Sequence, residues 1–160
     1  MASETEIASF ILKALSESWA NPNFKVENPF PKLKLIKFAV GDWLYVDQFV
    51  GGEPFQGFEI VFNKGRPVWS MTYRGAYSGK EDYELFENFL RAALRAMPKD
   101  APYRGPNIFE SAEFVGWKYA NTWKGKIKEF KGKEKIFFNN KNVYEAEYQG
   151  GVVNNDFANL

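Results

Sequence analysis

The most informative stretch of the sequence is Gly57-Phe-Glu-Ile-Val-Phe-Asn-Lys-Gly-Arg-Pro-Val-Trp-Ser-Met-Thr-Tyr-Arg-Gly75, because a related stretch follows it. The second copy reads Gly132-Lys-Glu-Lys-Ile-Phe-Phe-Asn-Asn-Lys-Asn-Val-Tyr-Glu-Ala-Glu-Tyr-Gln-Gly150, and six of the 19 aligned pairs are identical. Unrelated segments would share roughly one. Each copy contains two residues of types that accept a positive φ, Lys64-Gly65 and Asn139-Asn140, between two strand-like runs. Each copy is therefore predicted to be a β-hairpin.

Matching elements surround the two hairpins. A first helix is predicted over about Glu4–Trp19, because Ser3-Glu4-Thr5-Glu6 has the spacing of a capping box and apolar residues follow at helical intervals. Ser78-Gly79-Lys80-Glu81 has the same spacing and predicts the start of a second helix. One further strand is predicted before each hairpin, at Trp43–Phe49 and at Phe114–Trp123.

The element order is therefore α-β-β-β twice, which predicts a tandem duplication over residues 3–75 and 78–150 within one domain, residues 1–160. The predicted fold class is α+β, with an antiparallel and curved sheet of about six strands and both helices on one face. Two stretches fit the duplication poorly. Residues 21–40 are expected to form a loop and an extra edge strand, and residues 101–106 a shorter loop.

Composition narrows the possible functions. The chain has no cysteine and no histidine, which excludes disulfides, thiolate nucleophiles, imidazole catalysis and imidazole metal ligands. Its 21 Lys+Arg nearly balance its 20 Asp+Glu, so no global field attracts it to nucleic acid or to an anionic membrane. No apolar run reaches the roughly 18 residues of a spanning helix, and the N-terminus shows no leader pattern. We expect a cytoplasmic protein that has no metal or cofactor and does not bind membranes or nucleic acid directly.

Alternation of side chains in the hairpins predicts their two faces, if Lys64-Gly65 is a simple two-residue turn. The core face is then expected to carry Phe58, Ile60, Phe62, Trp69, Met71 and Tyr73. The opposite face combines apolar residues with carboxylates: Glu59, Val61, Val68, Glu134, Ile136 and Val143. Such a face is typical of a ligand cleft or a self-association surface, and ordinary β-forming residues on a half-exposed sheet are the alternative.

Several residue groups are candidates for a site. Glu59 and Glu134 occupy equivalent positions, so they could bind a cation together or divide acid and base roles, unless each only satisfies a local hydrogen bond. Tyr103-Arg104-Gly105-Pro106 could hold an anion, or the loop could simply be fixed by an ion pair. Gly51-Gly52 is expected to form a turn. Alternate lysines over residues 123–135 are interpreted as the solvated side of an edge hairpin rather than a single-stranded nucleic-acid site.

Three spaced motifs resemble a prokaryotic family known only as a domain of unknown function. They are Leu44-Tyr-Val-Asp-Gln-Phe-Val-Gly-Gly-Glu-Pro-Phe-Gln-Gly-Phe-Glu59, Gly65-Arg-Pro-Val-Trp-Ser-Met-Thr-Tyr73 and Pro102-Tyr-Arg-Gly-Pro106. Members of that family stand alone or follow a repressor-type helix-turn-helix domain. The resemblance implies a sensor or dimerisation module and supplies no catalytic residue. Residues 1–40 are too short for such a DNA-binding domain and a linker, so direct operator binding is not expected.

The preferred hypothesis is a small-molecule-binding or regulatory module with a cleft lined by aromatic rings and a few acids, for a cationic or hydroxylated organic ligand. The predicted ligand-binding residues are Asp47, Glu59, Trp69, Tyr73, Tyr103, Arg104, Glu134 and Tyr148. The first copy has Trp69, Met71 and Arg74 where the second has Tyr144, Ala146 and Gln149, so the site is expected to be asymmetric and weighted toward the first copy. Two alternatives remain: an enzyme that uses carboxylate acid/base chemistry, and a self-associating protein such as a homodimer.

Overall fold

Both predicted hairpins form, and they lie side by side in one antiparallel sheet. A computed structural model of the chain describes residues 2–21 and 23–154. The turn residues Lys64 and Gly65 have φ values of 50° and 74°, and Asn139 and Asn140 have values of 47° and 65°. Positive φ at both central residues suits the twist of two antiparallel strands. The turn residues therefore fix where each hairpin reverses.

The described residues form two helices and nine strands. The helices are α1 (Glu4–Glu17) and α2 (Tyr83–Arg95). The strands are β1 (Glu27–Phe30), β2 (Leu33–Val40), β3 (Trp43–Gly51), β4 (Phe55–Asn63), β5 (Arg66–Tyr77), β6 (Ile108–Phe109), β7 (Trp117–Lys126), β8 (Glu129–Phe138) and β9 (Lys141–Val152). Their order in the sheet is β1-β2-β3-β4-β5-β9-β8-β7-β6. The last strands of the two hairpins, β5 and β9, are therefore neighbours.

The prediction of about six strands is wrong, because the described residues form one nine-stranded sheet. Part of residues 21–40 forms a hairpin of two strands, β1 and β2, which pair with each other. Strand β1 was not predicted because it contains a proline, Pro29, which usually argues against a strand. Here β1 is at the edge of the sheet, where a missing N–H group is tolerated. Strand β6 pairs with β7 through only two residues, which is too short for an alternating pattern.

The predicted faces of the first hairpin are right for β5 but wrong for β4, because β5 contains a β-bulge. Next to the turn, Phe62 pairs with Pro67, but the following pair is Val61 with Trp69. Val68 is therefore an extra residue on β5. One extra residue exchanges the two faces for the rest of the strand relative to its partner.

The second hairpin has the same irregularity, with Val143 as the extra residue. Both carboxylates that were expected on the outer face are inside: Glu59 is 1 % exposed and Glu134 is 0 % exposed. The inner face of the first hairpin carries Glu59, Val61, Trp69, Met71 and Tyr73, whereas Phe58, Ile60 and Phe62 lie on the outer face. The mixed surface behind the self-association hypothesis is therefore not formed, and association of the chain with itself stays a prediction.

The two helices begin differently. At α1, the Ser3 hydroxyl accepts from the Glu6 amide at 3.3 Å and the Glu6 carboxylate accepts from the Ser3 amide at 2.8 Å, so the predicted capping box is confirmed. The matching prediction at Ser78 is wrong, because β5 continues to Tyr77 and α2 starts later. Asp82 caps α2 by accepting hydrogen bonds from two backbone amides.

Both helices cover the inner face of the sheet, and each builds its own core. Ile7, Phe10, Ile11, Ala14 and Leu15 of α1 pack with inner residues of β3 to β5. Phe86, Phe89, Leu90, Ala93 and Leu94 of α2 pack with inner residues of β7 to β9. Neither helix, among the residues that the structure describes, is long and apolar enough to cross a bilayer. The sheet is continuous, but its apolar core is divided into two clusters.

The lysine-rich residues 123–135 form the end of β7 and most of β8. Because β8 lies between β7 and β9, the prediction of an edge hairpin is wrong for this strand. Lys133 forms ion pairs with Glu145 at 2.5 Å and Glu147 at 3.3 Å on β9, and Lys135 pairs with Glu145 at 3.3 Å. The alternation of lysines therefore reflects cross-strand ion pairs on the outer face.

Candidate functional site

A cavity of about 110 Å³ lies on the inner face of the sheet, against side chains of both helices. Polar lining residues from β3, β4, β5 and the loop after α2 are Asp47, Glu59, Tyr73, Tyr103 and Arg104, and others from β2, α2 and β9 are Lys34, Tyr83, Glu87 and Tyr144. Its apolar lining includes Leu15, Trp19, Phe49, Phe55, Phe86, Leu90, Leu94 and Met97. A few polar groups within apolar and aromatic walls are typical of small-molecule sites. Since a cavity of about 150 Å³ accepts benzene, this one has room for the head group of a small organic molecule.

The first half of the sheet places four polar side chains together, which we call the Glu59 cluster: Tyr45, Asp47, Glu59 and Tyr73. Asp47 and Glu59 lie directly opposite each other on β3 and β4. The Tyr73 hydroxyl on β5 donates to Oδ1 of Asp47 at 2.7 Å. Oε2 of Glu59 and the hydroxyl of Tyr45 are buried and have no hydrogen-bond partner of normal geometry among the described residues. An unpaired buried polar group costs about 1–3 kcal/mol, so this cluster is incomplete by itself.

The second half contains a corresponding set, the Glu134 cluster: Arg104, Tyr119, Asn121, Glu134, Tyr144 and Tyr148. Arg104 donates to Glu134 through Nε at 3.1 Å and through Nη2 at 2.6 Å. The hydroxyls of Tyr119 and Tyr144 donate to the same carboxylate at 2.6 Å and 2.8 Å. The buried Glu134 carboxylate therefore accepts four hydrogen bonds and is charge-balanced by a bidentate guanidinium.

Each cluster depends on a tyrosine that reaches across a glycine. Tyr73 on β5 lies over Gly57 on β4, where a Cβ atom would come within 2.1 Å of the tyrosine ring. Only glycine leaves space for that ring, whose hydroxyl then reaches β3. Tyr148 lies over Gly132 in the same manner, with a distance of 2.3 Å, and donates to Asn121 on β7 at 2.9 Å. The identical glycine and tyrosine in the two copies thus have a shared structural role.

The two halves differ in charge at corresponding positions. Asp47 lies opposite Glu59, whereas the neutral Asn121 lies opposite Glu134. Glu134 has Arg104 as its counter-ion. Neither carboxyl group of the Glu59 cluster has an ion pair with a described residue. The first half therefore places two acids where the second places an acid, an amide and a bound guanidinium.

Electrostatics at the cavity keep protons on its acids. Burial raises the pKa of Asp47 to about 6, although the hydrogen bond from Tyr73 and the charge of Arg104 oppose this shift. Burial, and then the negative charge of Asp47, raise the pKa of Glu59 well above its ordinary value. Burial lowers the pKa of the Arg104 guanidinium, but the negative charge of Glu134 outweighs this effect and raises the pKa well above the usual range. Arg104 therefore stays charged, while the Glu59 cluster holds protons that exposed carboxyls would lose.

The structure brings five of the eight predicted site residues to the cavity: Asp47, Glu59, Tyr73, Tyr103 and Arg104. Glu134 does not line it and instead binds Arg104, so the predicted pairing of Glu59 with Glu134 at one cleft is not formed. Trp69 packs in the core against Phe130, with ring centroids 5.7 Å apart. Tyr148 is buried and bound to Asn121. The ion pair of Arg104 agrees with the alternative interpretation of its loop.

Sequence reasoning missed Tyr45, Tyr119 and Asn121. Tyr45 corresponds to Tyr119, and Asp47 corresponds to Asn121. The members of each pair are one residue closer in sequence than corresponding residues of the two hairpins, such as Gly57 and Gly132. An alignment at the offset of the hairpins therefore does not pair them. Allowing a one-residue gap before each hairpin would have revealed both pairs. The apolar walls carried no comparable signal, since they come from two helices whose approach depends on tertiary packing.

The glycine pair Gly51-Gly52 lies at the exposed rim of the cavity. Gly51 has a φ of 87°, which side chains rarely adopt. Glu53, which follows the glycine pair, accepts a hydrogen bond from the backbone amide of Tyr77. This segment therefore forms the turn that was predicted, and it also borders the cavity.

Comparison with known proteins places the chain in a family. Residues 47–153 match the model of a family described as a domain of unknown function (DUF5680). No curated protein and no solved structure matches the chain. The matched residues run from Asp47 past the end of β9 and include Asp47, Glu59, Tyr73, Tyr103 and Arg104 of the cavity lining. Because they make up more than half of the sequence, the chain belongs to the DUF5680 family.

Proposed function

We propose that this protein is a small-molecule-binding module whose ligand occupies the cavity at the Glu59 cluster. The observation that carries the proposal is the buried Oε2 atom of Glu59, which lines the cavity and has no hydrogen-bond partner of normal geometry among the described residues, although the nearby Tyr45 hydroxyl acts on the pKa of Glu59. Buried carboxylate oxygens are nearly always hydrogen-bonded, and each exception needs an explanation. A bound ligand that donates to Glu59 supplies one.

The surroundings of the cavity support the same proposal. The hydroxyl of Tyr103, which also lines the cavity, is buried without a partner among the described residues. Tyr103 is held in place by stacking on Phe130, with ring centroids 3.8 Å apart and planes 3° from parallel. A fixed aromatic ring with a free hydroxyl can orient a ligand at little entropic cost. The cavity therefore combines rigid walls with polar groups that lack partners.

A thermal-shift screen against a collection of metabolites tests this proposal. A ligand at 100 times its dissociation constant adds roughly 2.7 kcal/mol to the free energy of unfolding and raises the melting temperature. Hits are then measured with the Glu59→Gln variant and with Glu129→Gln, a matched change at an exposed glutamate on β8. The proposal predicts that Glu59→Gln removes the shift and that Glu129→Gln leaves it unchanged. Hits that stabilise both variants equally would mean that binding occurs elsewhere.

A regulatory use of the binding site is the finer part of the proposal. It is supported by the resemblance to relatives that stand alone or follow a helix-turn-helix domain, where a ligand-binding module would report to a DNA-binding one. We expect a ligand identified in the screen to change the association state or the conformation of the chain. Analytical ultracentrifugation with and without that ligand measures the first effect, and small-angle scattering measures the second.

A second candidate function is an enzyme that uses Asp47 and Glu59 for acid and base chemistry. It is favoured by one specific observation, the pKa of about 6 for Asp47 beside a second buried carboxyl, Glu59, whose pKa is also raised. Two adjacent acids with separated pKa values can divide the roles of base and acid. Mass spectrometry of each hit after incubation with the protein tests this function. A product that Asp47→Asn no longer forms would favour the enzyme, and unchanged hits would favour simple binding.

A further inference from the structure

The two polar clusters show which kind of ligand the first one lacks. In both, a glutamate lies opposite an Asp or Asn side chain on the next strand, and a tyrosine reaches across a glycine to that side chain. Only the second cluster contains a cation, the guanidinium of Arg104, which binds both carboxylate oxygens of Glu134. We infer that the ligand of the Glu59 cluster carries a planar guanidinium-type or amidinium-type head group that binds Glu59 as Arg104 binds Glu134. This inference rests on the proposed function and names the class of ligand.

The described residues place no guanidinium in an ion pair with Glu59, although Arg104 lines the same cavity. At the offset that relates Gly57 to Gly132, the residue that corresponds to Arg104 is Pro29, an exposed residue on the edge strand β1. Arg104 is engaged through Nε and Nη2 on Glu134, so it cannot also offer the same donors to Glu59. Lys34 also lines the cavity, but its ammonium lies 5.5 Å from the ring centre of Phe49 and makes no ion pair with Glu59. Arg104 acts on Glu59 through its charge, but a cation that binds Glu59 as Arg104 binds Glu134 would come from outside the described residues.

The charge of the lining favours a cation over an anion. Arg104 is neutralised by Glu134, which leaves the carboxyl groups of Asp47 and Glu59 as the buried acids at the cavity. A carboxylate or phosphate ligand would meet these two acids and a guanidinium whose two closest donors already bind Glu134. A cation would instead permit both acids to ionise, because an opposite charge at close range favours the charged form of a carboxyl group.

The shape and the walls favour a planar cation. Delocalised planar cations stack on aromatic faces, and their donors match the two oxygens of a carboxylate. The Arg104 guanidinium shows this within the chain, since it lies 5.8 Å from the ring centre of Tyr73 while it binds Glu134. The cavity presents further rings, from Trp19, Phe49 and Phe55. A flat head group can contact these rings and still reach Glu59.

Four small probes of similar size test the inference: ethylguanidinium, its neutral isostere N-ethylurea, propylammonium and propionate. Each is titrated into the full chain and followed by NMR shifts of the backbone amides. Because hydrogen bonds to charged groups are stronger than neutral ones, we expect ethylguanidinium to bind at least about tenfold more tightly than the other three. Glu59→Gln should reduce its affinity by at least about tenfold, and Glu129→Gln should have no effect.

The outcomes separate this inference from the function on which it rests. Equal binding of N-ethylurea or propionate would overturn the cationic class, and equal binding of propylammonium would overturn the planar head group. If none of the four binds but the metabolite screen yields ligands that depend on Glu59, the inference fails and the proposed function stands. If neither set yields such a ligand, both fail.

Proton release provides a second readout that does not need a variant to fold. A cation that ionises Asp47 and Glu59 should release protons on binding near pH 6, and the affinity of ethylguanidinium should rise with pH. Tyr45, Tyr73 and Arg104 do not titrate in this range, because the pKa of each is raised well above its usual value. Calorimetry in two buffers with different ionisation enthalpies measures the released protons. Binding of ethylguanidinium without proton release would overturn the inference.

A control variant distinguishes protons released by Asp47 and Glu59 from protons released by other charged groups at the cavity. Lys34 and Glu87 also line the cavity, and Glu134 lies behind it, bound to Arg104. Glu87 is half-buried and pairs with Arg91 at 3.7 Å, so Glu87→Gln is the matched change at the same cavity. Proton release should persist in Glu87→Gln and decrease in Asp47→Asn. The reverse result would assign the protons to the rim and overturn the inference.

Discussion

The Glu134 cluster and the Glu59 cluster are built on the same arrangement of strands, yet one is internally complete and the other is not. Glu134 receives four hydrogen bonds, two of them from a guanidinium, whereas one oxygen of Glu59 has no partner among the described residues. Both glutamates are almost fully buried. Burial of a carboxylate alone therefore does not indicate a binding site, and the proposal of a ligand rests on the combination of burial, a missing partner and an adjacent cavity at Glu59.

The largest expected effect comes from removing the cation of the complete cluster. Arg104→Met should lower the free energy of unfolding by about 3–5 kcal/mol, because it leaves the buried carboxylate of Glu134 without its counter-ion. Urea denaturation at neutral pH measures this loss. The double variant Arg104→Met with Glu134→Gln should regain part of the stability, since no buried charge is then uncompensated. A single variant within about 1 kcal/mol of the wild type would contradict the view that the pair holds the second cluster together.

Asp47→Asn should change the free energy of unfolding in the opposite direction, because it removes an acid whose charged form is disfavoured by burial. The pKa of Asp47 is about 6 in the folded chain and about 3.9 in an unfolded one, so the folded state binds more protons between these values. The stability of the wild type should therefore fall as pH rises from about 4 to 6 and remain lower above that range. At about 1.4 kcal/mol per pKa unit, Asp47→Asn should be more stable than the wild type by about 3 kcal/mol at pH 7–8 and nearly equal at pH 4.

Two further variants test whether that pH dependence belongs to the Glu59 cluster. Asp42→Asn changes an exposed aspartate in the turn before β3 and should leave the pH dependence as it is. Asn121→Asp places an acid in the complete cluster, at the position that corresponds to Asp47, and should introduce a loss of stability as pH rises. Urea denaturation between about pH 4 and pH 8 measures these two variants together with Asp47→Asn. If Asp42→Asn and Asp47→Asn shift the profile equally, the effect is one of overall charge and not of the cluster.

The glycines under the tyrosines give a smaller expected effect. Gly57→Ala and Gly132→Ala each place a Cβ atom against a tyrosine ring and should cost about 1–3 kcal/mol, the usual range for added atoms in a packed interior. Gly52→Ala is the control, because nothing lies within 4 Å of the position that its Cβ atom would take. Urea denaturation measures the loss, and ligand titration separates the two halves. Gly57→Ala should also weaken binding at the Glu59 cluster, and Gly132→Ala should lower stability alone.

Much of the central sheet could be predicted from sequence, because its signals are local. Each hairpin turn is indicated by residues that accept a positive φ, and the repeated pattern gives β4, β5, β8 and β9. The bulges could not be predicted, since Val68 and Val143 look like ordinary strand residues. This single extra residue reversed the assignment of faces and put Glu59 on the wrong side. Asp47 and Glu59 nevertheless stand out in the sequence, because acids between strand-forming residues are unusual, and both line the cavity.

The walls of the cavity and the incompleteness of the Glu59 cluster were beyond sequence reasoning. Trp19 and Phe86 look like helix core residues in the pattern, and only the packing of two helices on one sheet turns them toward a shared space. The engagement of Arg104 with Glu134 depends on the loop between α2 and β6, which has no periodic pattern. The distinction between a paired and an unpaired glutamate is therefore a property of tertiary structure.

The smallest expected effect concerns the start of α2, where the two halves also differ. Asp82→Ala should lower the free energy of unfolding by about 1 kcal/mol, because the Asp82 carboxylate accepts from the amides of Glu84 and Leu85 at 2.8 Å and 3.3 Å. Ser78→Ala should cost less than about 0.5 kcal/mol, since its hydroxyl makes only one long contact, 3.4 Å, with the carbonyl of Val143. Thermal and urea denaturation measure both variants. A larger loss for Ser78→Ala than for Asp82→Ala would restore the capping box as the start of α2 and make the two helices equivalent after all.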